Sequence, residues 1–123
     1  MDVEEWVEER PDFTAQLEFL QPEVGGRSNP PAQGYRCDFS YANDPPTRAW
    51  MIYPSFLDAS GRPLPHGAQV PSRVQANMRI LDPGLRRTEH RGRLDVGTEF
   101  RLVEGSRVVA VGRVQVLLRL GED

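Results

Sequence analysis

The sequence predicts an all-β domain, either an antiparallel barrel or a sandwich. Apolar and polar side chains alternate along six separate segments, which is the pattern of strands that bury one face. The chain of 123 residues contains 11 glycines and 11 prolines, and this composition favours many short elements joined by turns over a helical bundle. Helical segments do not alternate with the strand-like segments, so a parallel βαβ architecture is not expected.

Residues 1–11 differ from the strand-like segments and are predicted to form a short amphipathic helix. Val3, Trp6 and Val7 fall on one face at helical spacing. Pro11 ends the pattern, because the residue before a proline disfavours helical backbone. A helix of about two turns is unstable alone. We therefore expect it to lie against another surface, with Trp6 as its anchor.

Residues 12–120 are assigned to the barrel or sandwich, and residues 121–123 to a tail. The strands are expected over residues 13–19, 35–41, 49–53, 73–81, 97–103 and 107–120. Proline cannot donate to a strand ladder, so residues 54–68 are interpreted as a loop. Residues 82–95 are interpreted as a polar, arginine-rich loop. The side chains expected to face inward include Val74, Ala76, Met78 and Ile80, and, in the last strand, Val114, Val116 and Leu118.

Charge and cysteine usage limit the class of protein. The formal net charge is −3 and all 15 basic residues are arginine, which argues against a generally basic nucleic-acid binder. Cys37 is the single cysteine, so an internal disulfide is impossible and the cytosol is the natural compartment. The acidic N-terminus does not fit a secretory signal, and no apolar stretch approaches a membrane span. A cytoplasmic protein that does not enter a membrane is expected.

Side chains that carry chemistry are few and scattered. His66 and His90 both fall in polar loops, and we interpret them as surface residues. Together with Cys37 they are the only nitrogen or sulfur ligands that zinc would favour, and a zinc site needs three or four such ligands close together. We therefore predict no catalytic residue, no metal site and no cofactor, and the chain is not expected to be an enzyme.

Aromatic residues gather around the proline-rich turn near residue 54. Trp50, Tyr53 and Phe56 are the residues concerned. An exposed apolar patch of this kind would suit a partner. We instead favour the interpretation that Trp50 and Tyr53 fill one end of the barrel.

Two glycine-containing motifs resemble the C-terminal β-barrel, domain 3, of the bacterial translation elongation factor Tu family. The first includes Glu23, Gly25-Gly26-Arg27 and Gly34-Tyr35-Arg36, followed by the aromatic strand at Phe39. The second runs from Glu104-Gly105-Ser106-Arg107 to Gly112, after Gly97 and Phe100. The likeness extends from about Phe13 to Val116. It implies a closed six-stranded antiparallel barrel.

In that family, domain 3 contacts the backbone of aminoacyl-tRNA. The matching positions that keep their residue type here are Arg27, Thr47, Glu104 and Gly105. Other matching positions differ from the family, and they hold Ser28, Asp38, Asp82 and Val103. Loss of a cation and gain of a carboxylate weaken contacts to phosphates, so the resemblance implies weak tRNA binding at most. For Arg27, a structural salt bridge to Glu23 is an alternative to a recognition role.

The remaining parts of such a factor have no counterpart in the sequence. There is no phosphate-binding loop motif and no lysine to complete one, so GTP binding is not expected. The loop over residues 82–95 carries Arg86, Arg87, Arg91 and Arg93, which are candidates for phosphate contacts. Glu89 and Asp95 share that loop, so a solvated, charged loop is the favoured interpretation.

The resemblance predicts a non-catalytic binding module. In the family, domain 3 packs against the GTPase domain and meets the nucleotide-exchange factor, so a separate copy has surfaces to offer to a protein partner. We expect a protein–protein interaction connected with translation, or imitation of the factor, with an unidentified partner. The alternatives are a weak RNA-backbone-binding accessory of translation and a small enzyme that uses the barrel end as its pocket.

Overall fold

The computed structural model describes residues 11–118, and at Pro83, Arg86 and Arg87 it describes the backbone alone. The helix expected over residues 1–11 lies outside the described residues, apart from Pro11. The tail expected over residues 121–123 lies outside them as well.

Six antiparallel strands form a closed barrel, which confirms the predicted fold class. The strands are β1 (Phe13–Phe19), β2 (Cys37–Tyr41), β3 (Trp50–Leu57), β4 (Arg73–Ile80), β5 (Glu99–Glu104) and β6 (Arg107–Leu117). Around the barrel the order is β1-β4-β3-β2-β5-β6, and the pairing of β6 with β1 closes the sheet. Closure gives every strand two neighbours, which removes most of the open sheet edge that could act as a template for aggregation.

The two ends of the barrel carry different groups. β1, β3 and β5 run toward the end where Glu104 leads into the turn before β6, and we call this the Glu104 end. β2, β4 and β6 run toward the opposite end. We call it the His90 end, because the segment after β4 places His90 there.

Aromatic side chains fill the barrel. Phe13, Phe39 and Phe100 are almost completely buried. The Phe39 and Phe100 rings stack with centroids 4.7 Å apart, and Phe13 meets both rings edge to face. Such aromatic pairs contribute about 0.5–1.5 kcal/mol beyond the burial of their area. The inward positions predicted for β4, Val74, Ala76, Met78 and Ile80, are all buried.

A glycine in β6 allows this aromatic core to form. An added Cβ at Gly112 would lie 2.6 Å from Phe100 Cε2 and 2.8 Å from Leu17 Cδ2. Real Cβ atoms do not approach other atoms so closely, so only glycine fits without displacing the Phe100 ring. The glycine at the end of the second motif therefore has a packing role.

β3 continues through a proline, where the sequence predicted a loop from residue 54. Pro54 pairs with Met78 of β4. Backbone groups of alternate strand residues point to the same side, so the nitrogen of Pro54 faces the same side as the Phe56 amide, away from β4. β2 pairs with β3 only as far as Ile52. Another residue at position 54 would have an N–H on this side, and β2 would offer it no partner. β3 therefore tolerates proline here.

The segment over residues 82–95 is partly helical, whereas the sequence predicted a loop. A single α-helical turn, Pro83–Leu85, continues into a π-helical turn, Arg86–His90. Asp82 begins the segment by accepting a hydrogen bond from the Gly84 amide at 2.8 Å. No helix among residues 11–118 has the length and apolar character needed to cross a membrane.

Candidate functional site

The first glycine motif forms a tight loop at the Glu104 end. A 3-10 turn, Pro22–Val24, ends at Gly25, whose φ is 95° and whose amide donates to Pro22 O at 3.1 Å. An added Cβ at Gly26 would lie 2.8 Å from Gln21 O and even closer to Leu20 O. Both contacts are to backbone, which cannot move aside easily. Gly26 is therefore required for the loop to fold back on the end of β1.

The two motifs meet in space, although 77 residues separate Arg27 from Glu104. The Arg27 guanidinium donates to Glu104 Oε2, and the Tyr35 hydroxyl donates to the same carboxylate oxygen. The Arg27 guanidinium also lies over the Tyr35 ring, 4.8 Å from its centroid. We call Arg27, Tyr35 and Glu104 the Glu104 triad. Arg27 does not form the alternative salt bridge to Glu23.

A second arginine ties the motifs together through backbone atoms. Arg107 Nε donates to Gly25 O at 2.9 Å, and its Nη2 donates to Gly26 O. Gly105 lies in the turn just before Arg107. The turn between β5 and β6 therefore holds the glycine loop in two ways. Glu104 pairs with Arg27, and Arg107 donates to the backbone carbonyls of the loop.

Hydrogen bonding fixes the ionisation of the triad. Burial opposes charge on Glu104, but the hydrogen bonds from Tyr35 and Arg27 and the charge of Arg27 outweigh it, and the pKa of Glu104 is lowered. Burial, together with the hydrogen bond to Glu104, raises the pKa of Tyr35. Glu104 is thus a carboxylate and Tyr35 a neutral phenol across the physiological range.

Two shallow grooves flank the triad. Arg27 and Ser28 line a groove of about 340 Å³ that extends along Pro30 and Pro31. Glu104 and Gly105 line a second groove, of about 350 Å³, with exposed Met51 in its wall. Arg27 lines one groove and Glu104 lines the other, so their ion pair connects the two.

The structure separates the other predicted contact residues from this site. Thr47 is exposed in the turn after β2, at the His90 end, and so it cannot share a compact surface with Arg27. The backbones of Arg86 and Arg87 lie in the π-helical turn at that same end. Among the positions that depart from the family, Val103 is buried and pairs across strands with Asp38.

Sequence reasoning missed a cluster at the His90 end. His90 is buried rather than exposed, which corrects the prediction, and its Nδ1 lies 2.7 Å from the Tyr41 hydroxyl. Arg93 lies over the Tyr41 ring at 3.8 Å and pairs with Asp44 at 2.8 Å. The signal available from the sequence was the i, i+4 spacing of Glu89 and Arg93, which pair at 3.7 Å although Arg93 lies beyond the π-helical turn.

Two of the three aromatic residues near the turn, Trp50 and Phe56, pack in or against the core. Phe56 is fully buried and Tyr53 nearly so, while Trp50 is half-buried and meets His90 with ring centroids 5.1 Å apart. The favoured interpretation, that Trp50 and Tyr53 fill one end of the barrel, agrees with the structure for Trp50, which packs against the core. Tyr53 is not part of the core cluster, and the Arg36 guanidinium lies over its ring, 4.9 Å from the centroid. The His90 end is filled by side chains rather than open as a pocket.

Nucleophile and metal chemistry find little support in the described part of the chain. Burial raises the pKa of the Cys37 thiol to about 12, so the reactive thiolate is scarce at neutral pH. Within residues 11–118, no group of three or more His, Cys, Asp or Glu side chains is placed to hold a metal ion.

The fold and the site define a small closed β-barrel whose two glycine motifs are joined by an ion pair at one end. No protein-family model matches the chain, and no curated protein matches its sequence.

Proposed function

We propose that the protein is a non-catalytic binding module related to domain 3 of elongation factor Tu. It acts in the bacterial cytoplasm by binding a protein partner connected with translation, or by imitating the factor toward proteins that recognise it. The surface that meets the partner is the Glu104 end, with the Glu104 triad at its centre.

The observation that carries the proposal is the contact between the two motifs. The resemblance rests on two segments that are distant in sequence, and these segments meet through Arg27, Glu104 and Arg107. Residues that maintain one local surface are expected to be retained together, whereas chance similarity in two loops has no reason to place them in contact.

A protein partner is favoured over RNA because the cations of the site are already engaged. Glu104 neutralises Arg27, and Arg107 donates to the carbonyls of the glycine loop. Affinity for an RNA backbone depends on cations that neutralise phosphates. Asp38 in β2 departs from the family pattern, and its negative charge opposes contact with phosphates.

A catalytic role is not favoured, because the titratable groups at this end are poor proton acceptors and nucleophiles. The pKa of Glu104 is lowered, which makes it a weak base. Burial raises the pKa of both Tyr35 and Cys37, so neither forms an anion readily near neutral pH.

The test is calorimetric titration of the chain with two proteins, the nucleotide-exchange factor of elongation factor Tu and the isolated GTPase domain of that factor. We expect saturable binding to at least one. Arg27→Ala should weaken it by about tenfold or more, as for a central interface residue. Thr47→Ala, an exposed change at the opposite end, should leave it unchanged. Absence of binding to both proteins would reject the proposal.

A charge-exchanged variant separates recognition from folding. Arg27→Glu combined with Glu104→Arg retains opposite charges at the two positions, so it should keep the thermal stability better than either single change while still losing the partner. A parallel titration with tRNA tests the alternative. Retention of tRNA that falls steeply between about 50 and about 200 mM salt, and that Arg27→Ala abolishes, would replace the protein-binding proposal with an RNA-binding one.

A further inference from the structure

His90 places an ionisable group inside the barrel. Its side chain is only 1% exposed. Nδ1 lies 2.7 Å from the Tyr41 hydroxyl, and within residues 11–118 Nε2 has no hydrogen-bond partner. A buried polar atom without a partner is uncommon in folded proteins.

The surroundings of His90 are apolar and dry. The Phe39 and Trp50 rings approach it nearly perpendicularly, with centroids 5.9 and 5.1 Å away. The space beside the imidazole is lined by Phe13, Ile80 and Leu94, among other apolar side chains, and is too small to hold a water molecule. Water therefore cannot compensate for the missing partner.

The charged groups around the imidazole do not replace that partner. Glu89 precedes His90 and is paired with Arg48 at 3.3 Å and with Arg93 at 3.7 Å. From β2, the facing titratable group is the Tyr41 phenol, and from the start of β1 it is Asp12, which accepts a hydrogen bond from the Ile80 amide. Burial, and then the charge of Arg93, lower the pKa of His90, while Glu89 and Asp12 act in the opposite direction.

Protonation changes what the imidazole requires. In the neutral ring one nitrogen accepts and the other donates, whereas in the charged ring both nitrogens donate. Nδ1–H can still donate to the Tyr41 oxygen if the hydroxyl rotates. Nε2–H would carry part of a positive charge into the apolar space with no acceptor, and an unpaired buried charge is strongly unfavourable. The charged imidazole is therefore stable only outside the barrel.

We propose that residues 83–94 form an acid-sensitive latch on the barrel. Proton uptake by the His90 imidazole frees this segment from the His90 end. In the closed state the neutral ring is inserted among Tyr41, Phe39 and Trp50. In the open state the charged ring is in water and the aromatic end of the barrel is exposed.

His90 is well placed to control this segment, because its ring is buried in the His90 end of the barrel. Leu94 is the other side chain of the described part of the segment that is buried at this end. Arg93 also holds the segment, since it pairs with Asp44 at 2.8 Å and donates to Asn43 Oδ1 at 3.1 Å. Removal of the imidazole therefore weakens the attachment of the segment, and the contacts of Arg93 open with it.

The expected response follows from linkage. The imidazole binds a proton more weakly in the closed state than in the open state. The closed state therefore keeps its full stability at a pH above the ordinary pKa range of histidine, and it loses stability as the pH falls below that range. With an open-state pKa of about 6.5, and a ring that stays neutral while closed, the opening equilibrium rises about tenfold between pH 7.5 and pH 5.5. The hydrogen bond from Arg93 lowers the pKa of Asp44, so Asp44 does not produce this response.

Hydrogen exchange measured by mass spectrometry tests the latch. In the full chain, peptides covering residues 83–94 should exchange about tenfold faster at pH 5.5 than at pH 7.5, after correction for the intrinsic chemical rates. His90→Phe fills the same space without an ionisable group and should abolish the difference. His66→Phe removes the exposed histidine and should retain it. A wild-type segment without this response, or an unchanged response in His90→Phe, overturns the proposal.

A second measurement keeps the proposal testable if His90→Phe does not fold. The ring protons of His90 can be titrated by NMR in the wild-type chain. The latch requires that the imidazole of the closed form stays neutral at pH 5.5, and that charging coincides with the loss of its contacts to Trp50. A His90 ring that titrates near pH 6.5 while those contacts persist excludes the latch.

Discussion

The side-chain amide of Gln33 pairs with the backbone of Phe56 as a neighbouring strand would. Gln33 Oε1 accepts from the Phe56 amide at 2.9 Å, and Gln33 Nε2 donates to Phe56 O at 3.0 Å and to Leu64 O at 3.1 Å. Beyond Ile52, β2 no longer pairs with β3. One side chain therefore completes the ladder where the strand that should supply it has ended.

Gln33→Ala is expected to lower the free energy of unfolding by about 1–3 kcal/mol, because it leaves the buried Phe56 amide without a partner, while Phe56 O keeps the hydrogen bond from the Leu64 amide. Gln33→Glu should also destabilise the protein, since a carboxylate cannot donate to the carbonyls of Phe56 and Leu64. Urea denaturation measures both changes. Gln115→Ala, on the exposed side of β6, is the matched control and should change stability by less than about 0.5 kcal/mol. A neutral Gln33→Ala would show that water replaces the amide.

Gly112→Ala is expected to cost about 1–3 kcal/mol, the usual range for adding a methyl group to a filled core. The added Cβ would displace the Phe100 ring or Leu17. Phe100→Leu in the Gly112→Ala background should recover part of the loss, although each change alone destabilises. Thermal and urea unfolding of the two single variants and the double variant provide the coupling free energy. Strict additivity would indicate that the sheet, and not Phe100, adjusts to the methyl group.

Gly26→Ala is expected to destabilise the glycine loop by about 2 kcal/mol or more, since its Cβ meets backbone atoms of Leu20 and Gln21. Gly92→Ala is the matched control, because an added Cβ there meets nothing within 4 Å. The comparison is made by urea denaturation. Hydrogen exchange of residues 20–31 then shows whether the damage is confined to the loop. Equal effects at the two glycines would contradict the close approach at Gly26.

Glu104→Gln is expected to reduce stability by about 1 kcal/mol at pH 7, a modest value because Arg27 and Glu104 are about 30% and 32% exposed. The pKa of Glu104 is lowered in the folded state. Its contribution is therefore complete above the ordinary carboxyl range near pH 4 and is lost as the pH falls below it. The difference between wild type and variant should shrink at pH 3. A difference that persists at pH 3 would assign the effect to the shape of the side chain.

The alternating strands were predictable because one face of each is buried. Phe13, Ala15 and Leu17 are all fully buried, as their spacing indicates. Alternation fails where the pairing register shifts. Thr14 pairs with Val116 but Ala15 pairs with Val114, so Gln115 is an extra residue and Val116 is turned outward to an exposure of 48%. A bulge of this kind depends on the pairing of β6 with β1. The sequence of β6 alone therefore gives no signal of it.

The candidate site was partly predictable. The motif residues Arg27, Glu104 and Gly105 do lie together, because the motifs occupy the end of β1 and the end of β5, which the barrel order brings to one end. Arg27 pairs with Glu104 instead of Glu23 because of the strand order. The spacing of these residues in the sequence could not predict this ion pair. His90 was misjudged for a similar reason, since a histidine among arginines looks exposed until Tyr41, Phe39 and Trp50 are known to face it.

The closing seam of the barrel joins Phe13 to Leu117 and Phe19 to Ala110. Contacts between segments so distant along the chain form late, because the entropy of loop closure opposes them until the rest of the sheet exists. During synthesis β1 is complete long before β6 leaves the ribosome, and until then one side of β1 is an unpaired edge. The nascent chain consequently keeps two unpaired edges, on β1 and on β5, until its sixth strand emerges.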